Sequence, residues 1–228
     1  MHSKKRLRNL GLLVALLVLF LVSPFIVPLR FGVVIFEVIG ALVLFAGTFA
    51  VSERTSSFVV AIALAAISIV ANFLLIVWQN DWLILFSYSS VLVLLVLFSV
   101  DILRSVLRRG QVTADKICGA LCVYLLAAYA WTFAYALMDL KEPESFNGLS
   151  GTARDHVSRV IQLRYFSFVT LTTVGYGDIT PRSSVARTFA NLEAVIGQIY
   201  LAVLVARLVS LHIVHEGAKQ EKEKPLSE

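Results

Sequence analysis

Charge is scarce in this chain. Only 15% of its 228 residues are Asp, Glu, Lys or Arg, where an ordinary soluble domain carries about 25%. Hydrophobic residues make up 58%, and the mean hydropathy is +0.83. One domain of this length cannot hide so much apolar surface from water, so much of it must face lipid. That excludes the soluble-enzyme classes. Cysteine is scarcer still: Cys118 and Cys122 lie one helical turn apart inside an apolar run. Two such residues read as buried thiols and exclude a disulfide framework. The sequence offers no metal-ligand cluster, catalytic triad or phosphate loop, so neither covalent chemistry nor a cofactor is expected. The net charge of +5 is no sign of a nucleic-acid partner, because basic residues in so apolar a chain report topology and anionic lipid.

What is present is a series of long apolar runs. Crossing about 30 Å of hydrocarbon takes about 20 helical residues. The run from Leu10 to Val51 is twice that, so it must be two helices, with Pro24, Pro28 and Arg30 marking the turn. A third run covers Phe58 to Trp78, followed by the polar break Gln79-Asn80-Asp81. The fourth goes from Trp82 to about Leu103, the fifth from about Ala114 to Met138, and the last from about Arg187 to Leu211. Six spans are expected. A cleavable signal peptide is the other reading of the N-terminus, but no small-x-small site follows Leu10–Val22 and a second span comes at once.

With the N-terminus in the cytoplasm, 13 of the 20 basic residues fall on the inner side. They are Lys4, Lys5, Arg6, Arg8, Arg54, Arg104, Arg108, Arg109, Lys116, Arg207, Lys219, Lys222 and Lys224. This bias places both termini in the cytoplasm, and Trp78 and Trp82 suit an aromatic belt at an outer loop. Compact loops and tails suggest a multi-pass protein of the cell membrane, in particular a bacterial inner membrane.

Between the fifth and sixth runs, Asp139 to Ser158 is too polar to span, and Val160 to Thr172 is apolar but too short. The latter fits a re-entrant helix, and it leads directly into Thr172-Thr173-Val174-Gly175-Tyr176-Gly177-Asp178. Irregular backbone at membrane depth is tolerated only where it is buried in protein or lines a watery path. Glycines alternating with Val174 and Tyr176 let successive peptide units turn their carbonyls the same way, an alternation that L-residues resist. The result would be a stack of carbonyl oxygens with the Thr173 hydroxyl at its bottom. Several copies around one axis would replace the hydration shell of a monovalent cation.

The stretch Thr170-Leu171-Thr172-Thr173-Val174-Gly175-Tyr176-Gly177-Asp178 resembles the potassium-channel signature of the tetrameric cation channels. The resemblance covers about Ala114 to Leu211. It implies that the carbonyls of Thr173, Val174, Gly175 and Tyr176, with the Thr173 hydroxyl, hold potassium. It further implies a filter completed by Gly177, supported by Thr170 and Thr172, with Asp178 at its outer mouth. A homotetramer in the bilayer is implied too, since one chain carries one filter copy. Many relatives have a tryptophan pair bracing the filter where this chain has Tyr165 and Phe166. Some have a glutamate partnering the outer aspartate where it has Val169. Gly197 stands where the family often bends its inner helix, though a glycine there reads equally well as a close-packing contact.

The fourth run tests for a voltage sensor. Steep gating uses about 3–4 charges per subunit, yet Trp82 to Val100 holds no arginine or lysine. At most weak voltage dependence is expected. Glu37, Asn72 and Glu193 are polar groups at membrane depth, which are costly and by default suspected of function. Glu37 reads best as a protonated or hydrogen-bonded brace. Glu193, one turn before Gly197, is a candidate gating residue, and Glu193→Gln is expected to change open probability more than selectivity. His212 and His215 are either proton sensors near the inner gate or solvated helix ends.

The expected architecture is an all-α integral membrane protein, with six transmembrane helices plus a re-entrant pore helix and selectivity filter. Residues 1–103 form a four-helix region of unassigned role, 104–113 an interfacial linker and 114–211 the pore module. Residues 212–228 form a short tail that leaves no room for a ligand-binding domain. The expected function is passive potassium conduction. Its rivals are a non-conducting regulatory or sensor subunit that keeps the pore shape, an ATPase-driven transport subunit, and a non-selective cation pore. The single undegraded filter copy argues against the last two.

Overall fold

The computed structural model describes residues 8–26, scattered positions between 35 and 74, and residues 80–108, 113–151 and 155–223, the last sixteen by backbone alone. Most of the expected second and third spans, with Glu37, Asn72, Pro28 and Arg30, lies outside the described residues, as do the side chains of His212 and His215. Five helices and a two-stranded pairing are described: α1 (Arg8–Ile26), α2 (Asp81–Leu107), α3 (Ala114–Lys141), β1 (Phe146–Asn147), α4 (His156–Leu171), β2 (Thr180–Pro181) and α5 (Ser184–Glu223). Among the described residues three segments are long and apolar enough to cross a membrane: Asp81–Leu107, Ala114–Lys141 and Ser184–Arg207. The apolar part of α1, Asn9–Ser23, is shorter.

The helix ends follow local chemistry. Asn80 caps α2, its side chain accepting from the Trp82 amide at 3.1 Å, so the expected polar break is itself the cap. Thr113 caps α3, Asp155 caps α4, and the Ser183 hydroxyl accepts from the Ala186 amide at the start of α5. Pro24 lies inside α1 and not in a turn after it. Proline has no N–H to give the carbonyl four residues back, and the Ser23 hydroxyl donates to that freed Phe20 carbonyl at 2.7 Å. Arg104–Leu107 of the expected linker are still α2. α3 runs three residues past Met138 because Asp139 is held in the interior by an ion pair described below.

α3 is the spine of the bundle, packing against α1, α2, α4 and α5. On its N-terminal half, Cys122, Leu126 and Tyr129 pack with Leu12 and Leu16 of α1 and Leu94 and Phe98 of α2. α1 is moored by its first residues: the Asn9 amide donates to an Asp115 carboxylate oxygen at 2.7 Å, and the Asn9 side chain donates to the other at 3.0 Å. Cys122 is buried and Cys118 only half-buried; neither is in a disulfide. On the C-terminal half of α3, Tyr135 and Ala136 pack with Phe146, Leu163, Phe166 and Ile179. This second cluster lies directly behind the 172–178 loop.

Candidate functional site

α4 has 16 residues, a rise of about 24 Å, too short to cross the hydrocarbon. It starts at His156, four residues before the expected apolar segment, and ends at Leu171 with Thr172 as its cap. The Thr172 amide and hydroxyl both donate to the Phe168 carbonyl, at 3.1 and 2.6 Å. The chain then leaves the helix while still tied to its last turn. Thr173 N–H donates to Thr170 O at 3.0 Å, and Val174 N–H to Val169 O at 2.9 Å. Val169, which stands where some relatives have an acid, thus serves the loop through its backbone.

The loop backbone alternates in hand. Thr173, Gly175 and Gly177 have φ of +57°, +58° and +80°, whereas Val174 and Tyr176 between them do not enter the positive region. A Cβ on Gly175 or Gly177 would meet nothing within 4 Å, so glycine is required there by the backbone angle and not by space. Thr173 adopts the same angle with a β-branched side chain, the only non-glycine among the described residues to do so. A left-handed L-residue costs about 1–2 kcal/mol, and such strain persists only where the surroundings over-determine it. The side chains of Val174 and Tyr176 are exposed.

The Asp178 end of the loop is anchored twice. Phe146 of β1 pairs antiparallel with Pro181 of β2, and Asn147 with Thr180, tying the α3–α4 connection to the strand that leaves the loop. Beside this pairing Gly148 (φ +84°) lies against the Asp178 carbonyl; an added Cβ would sit 2.0 Å from that oxygen. Tyr165 neighbours Asp178 through its hydroxyl. Its ring lies parallel to that of Tyr176, with centroids 6.3 Å apart. In the first turn of α4, Arg159 forms a buried, two-pronged ion pair with Asp139 of α3 and donates to the Pro143 carbonyl at 3.0 Å.

The inner face of the site is a seam between α5 and α4. Glu193 is fully buried, with both carboxyl oxygens met by hydroxyls and not by a cation. Tyr135 donates to Oε2 at 2.5 Å, and Ser167 contacts Oε1 at 2.6 Å. One turn on, Gly197 lies against the end of α4: a Cβ there would sit 2.5 Å from the Leu171 carbonyl oxygen, which also accepts from Tyr124 at 3.0 Å. Gly197 makes a close packing contact here, and α5 runs through it without a break. The next residue, Gln198, donates its side-chain amide to the Thr173 hydroxyl at 3.2 Å.

The structure places Thr170 in the last turn of α4, Thr172 at its cap, and Thr173, Val174, Gly175, Tyr176, Gly177 and Asp178 in the loop that follows, with Glu193 and Gly197 directly behind. Sequence reasoning missed Asp139, Arg159, Gly148, Tyr135, Ser167 and Gln198. An acid and a base at opposite ends of a polar stretch between two helices was a usable signal for the ion pair; the other four gave none.

This stretch of the chain is similar to known ion channels. The family model described as "Ion channel" matches residues 116–213, which takes in α3, the loop and most of α5. Among curated relatives, Protein LctB of Bacillus caldotenax is 34% identical over 87 residues, covering 38% of this chain and 64% of that protein. Two pore potassium channel c of Oryza sativa subsp. japonica is 31% identical over 86 residues, covering 38% of this chain and 19% of the relative. Two-pore potassium channel 3 of Arabidopsis thaliana is 39% identical over 51 residues, covering 22% and 12%. The chain spans less than two thirds of the length of each.

Proposed function

We propose that this chain is a potassium-selective channel subunit that conducts passively, as a homotetramer. One observation carries the reading: the left–right–left–right–left alternation from Thr173 to Gly177. Alternating hand turns successive carbonyls to one side, and rings of such oxygens from several copies can stand in for the hydration shell of potassium. In this reading Thr173, Val174, Gly175 and Tyr176 supply the ligands. Gly177 completes the filter, Thr170 and Thr172 support it, and Asp178 stands at its outer mouth. Two of the relatives carry potassium in their names, which agrees in the ion class. The exposed apolar face of α5 (Leu192, Val195, Ile196, Ile199) beside the exposed loop supports assembly of identical copies around the loop. Six spans, cytoplasmic termini and a bacterial inner membrane complete the proposal, which involves no covalent chemistry and no cofactor.

Gating is assigned to the seam, through Glu193 and Gly197, and it is at most weakly voltage dependent, because α2 carries no basic residue before Arg104. The test is reconstitution into liposomes with a potassium-flux assay, repeated with sodium and with barium as blocker. Barium-sensitive potassium flux that greatly exceeds sodium flux is expected. Equal passage of both ions, or no flux from the purified protein, would overturn the reading.

A further inference from the structure

We infer that Gln198 is a positioning residue for the innermost ion site, holding Thr173 and its hydroxyl in the ion-ligating geometry. This rests on the conduction path proposed above and adds to it a residue outside the loop. Two independent observations meet at Thr173. The first is its backbone: a β-branched residue at φ +57° that the peptide alone would leave for a right-handed or extended angle. The second is the amide of Gln198, 3.2 Å from its hydroxyl oxygen and 25 residues away in sequence.

The two are brought together by packing. With no side chain at Gly197, the backbone of α5 closes on the Leu171 carbonyl, and the following residue comes level with Thr173. The Thr173 amide is already committed to the Thr170 carbonyl, so its side-chain oxygen is the remaining point at which the residue can be fixed. A primary amide suits that task, since it gives an N–H to the hydroxyl oxygen without a charge. A cation at this position would repel the permeating ion, and an aliphatic side chain would leave the hydroxyl free to rotate. With the amide donating, the hydroxyl oxygen keeps a lone pair for the ion, and Thr173 stays in the conformation that turns its carbonyl the same way as those of Val174, Gly175 and Tyr176.

The experiment is a double-mutant cycle on barium block, recorded from the full chain in planar bilayers with barium added to each side in turn. Barium is a doubly charged probe of oxygen-lined sites. It meets the Thr173 ring first when it enters from the side faced by the C-terminal end of α5. Gln198→Leu should weaken block from that side about fivefold, the factor that one ordinary net hydrogen bond is worth, and leave block from the opposite side unchanged. Thr173→Val, which removes the hydroxyl but keeps the branched shape, should weaken it as well. Adding Gln198→Leu to Thr173→Val should then have no further effect. Gln198→Asn, which keeps a shorter amide, should fall between wild type and Gln198→Leu. Equal effects of Gln198→Leu in both backgrounds, or block within about twofold of wild type, would overturn the inference while leaving the channel reading intact. A wild-type protein that passes no potassium would overturn both.

Discussion

At the scale of single residues, the loop depends on a few side chains of demanding geometry. The Ser167 hydroxyl has one hydrogen and two oxygen neighbours, the Ala128 carbonyl at 2.8 Å and Glu193 at 2.6 Å. All three groups are satisfied at once when the Glu193 carboxyl carries a proton of its own, because a buried ionised carboxylate with only hydroxyls around it is poorly compensated. Glu193→Gln supplies one donor and one acceptor in the same shape. It is expected to keep the melting temperature of the purified protein within a few degrees and its potassium-over-sodium ratio unchanged, while altering open probability in single-channel records by fixing the neutral form. Glu193→Leu strands the Tyr135 hydroxyl, while Ser167 keeps the Ala128 carbonyl, and is expected to cost about 1–3 kcal/mol for the unsatisfied group, read as a clear drop in melting temperature. Gly197→Ala forces a methyl group onto a backbone carbonyl at 2.5 Å, and overpacking of this kind costs about 1–3 kcal/mol. The expected result is loss of potassium flux with the protein still inserted. Flux equal to wild type would show that α5 can back away from Leu171 freely.

At the scale of elements, the support of the outer mouth lies in the connection between α3 and α4. Asp139 and Arg159 are both almost wholly buried, and removing one partner of a buried pair costs about 3–5 kcal/mol, whereas replacing both by apolar residues of similar size can be nearly neutral. Asp139→Asn is therefore expected to lower thermal stability in detergent markedly, and Asp139→Leu with Arg159→Met to recover much of the loss. If the double variant is no better than the single, the pair contributes more than its charge balance. The elements themselves were largely legible in the sequence. Hydropathy runs locate α2, α3 and the start of α5 to within a few residues, whereas α5 continues as helix to Glu223, twelve residues past the expected end at Leu211, and the Gly-x-Gly alternation gives the loop. The β1–β2 pairing was not legible, because two-residue strands have no periodicity and the partners lie 33 and 35 residues apart. The helical start of α4 was hidden too, since its first turns carry His156, Ser158 and Arg159, polar residues that read as loop until the ion pair that buries Arg159 is seen. The seam behind the loop was half legible: Glu193 and Gly197 stand out in an apolar helix, whereas Tyr135, Ser167 and Gln198 are ordinary until packing brings them together.

At the scale of the whole molecule, the proposed channel predicts a particle of four copies by mass in a native-like bilayer mimic, and a conductance that changes little with voltage. A steep conductance–voltage curve in symmetrical potassium would mean that charge outside α2 moves through the field. α5 is a single uninterrupted helix of 40 residues, about 60 Å long, fastened near its first third to three successive points of the pore helix and loop. Such a rod cannot swing at its far end while its near end stays still. In the proposed channel, whatever pushes on the distal part of α5, be it a lipid, a partner or a neighbouring helix, would reach the ion-binding oxygens through rigid leverage. Closing the path at the bottom and distorting the ion sites at the top would then be two ends of one movement.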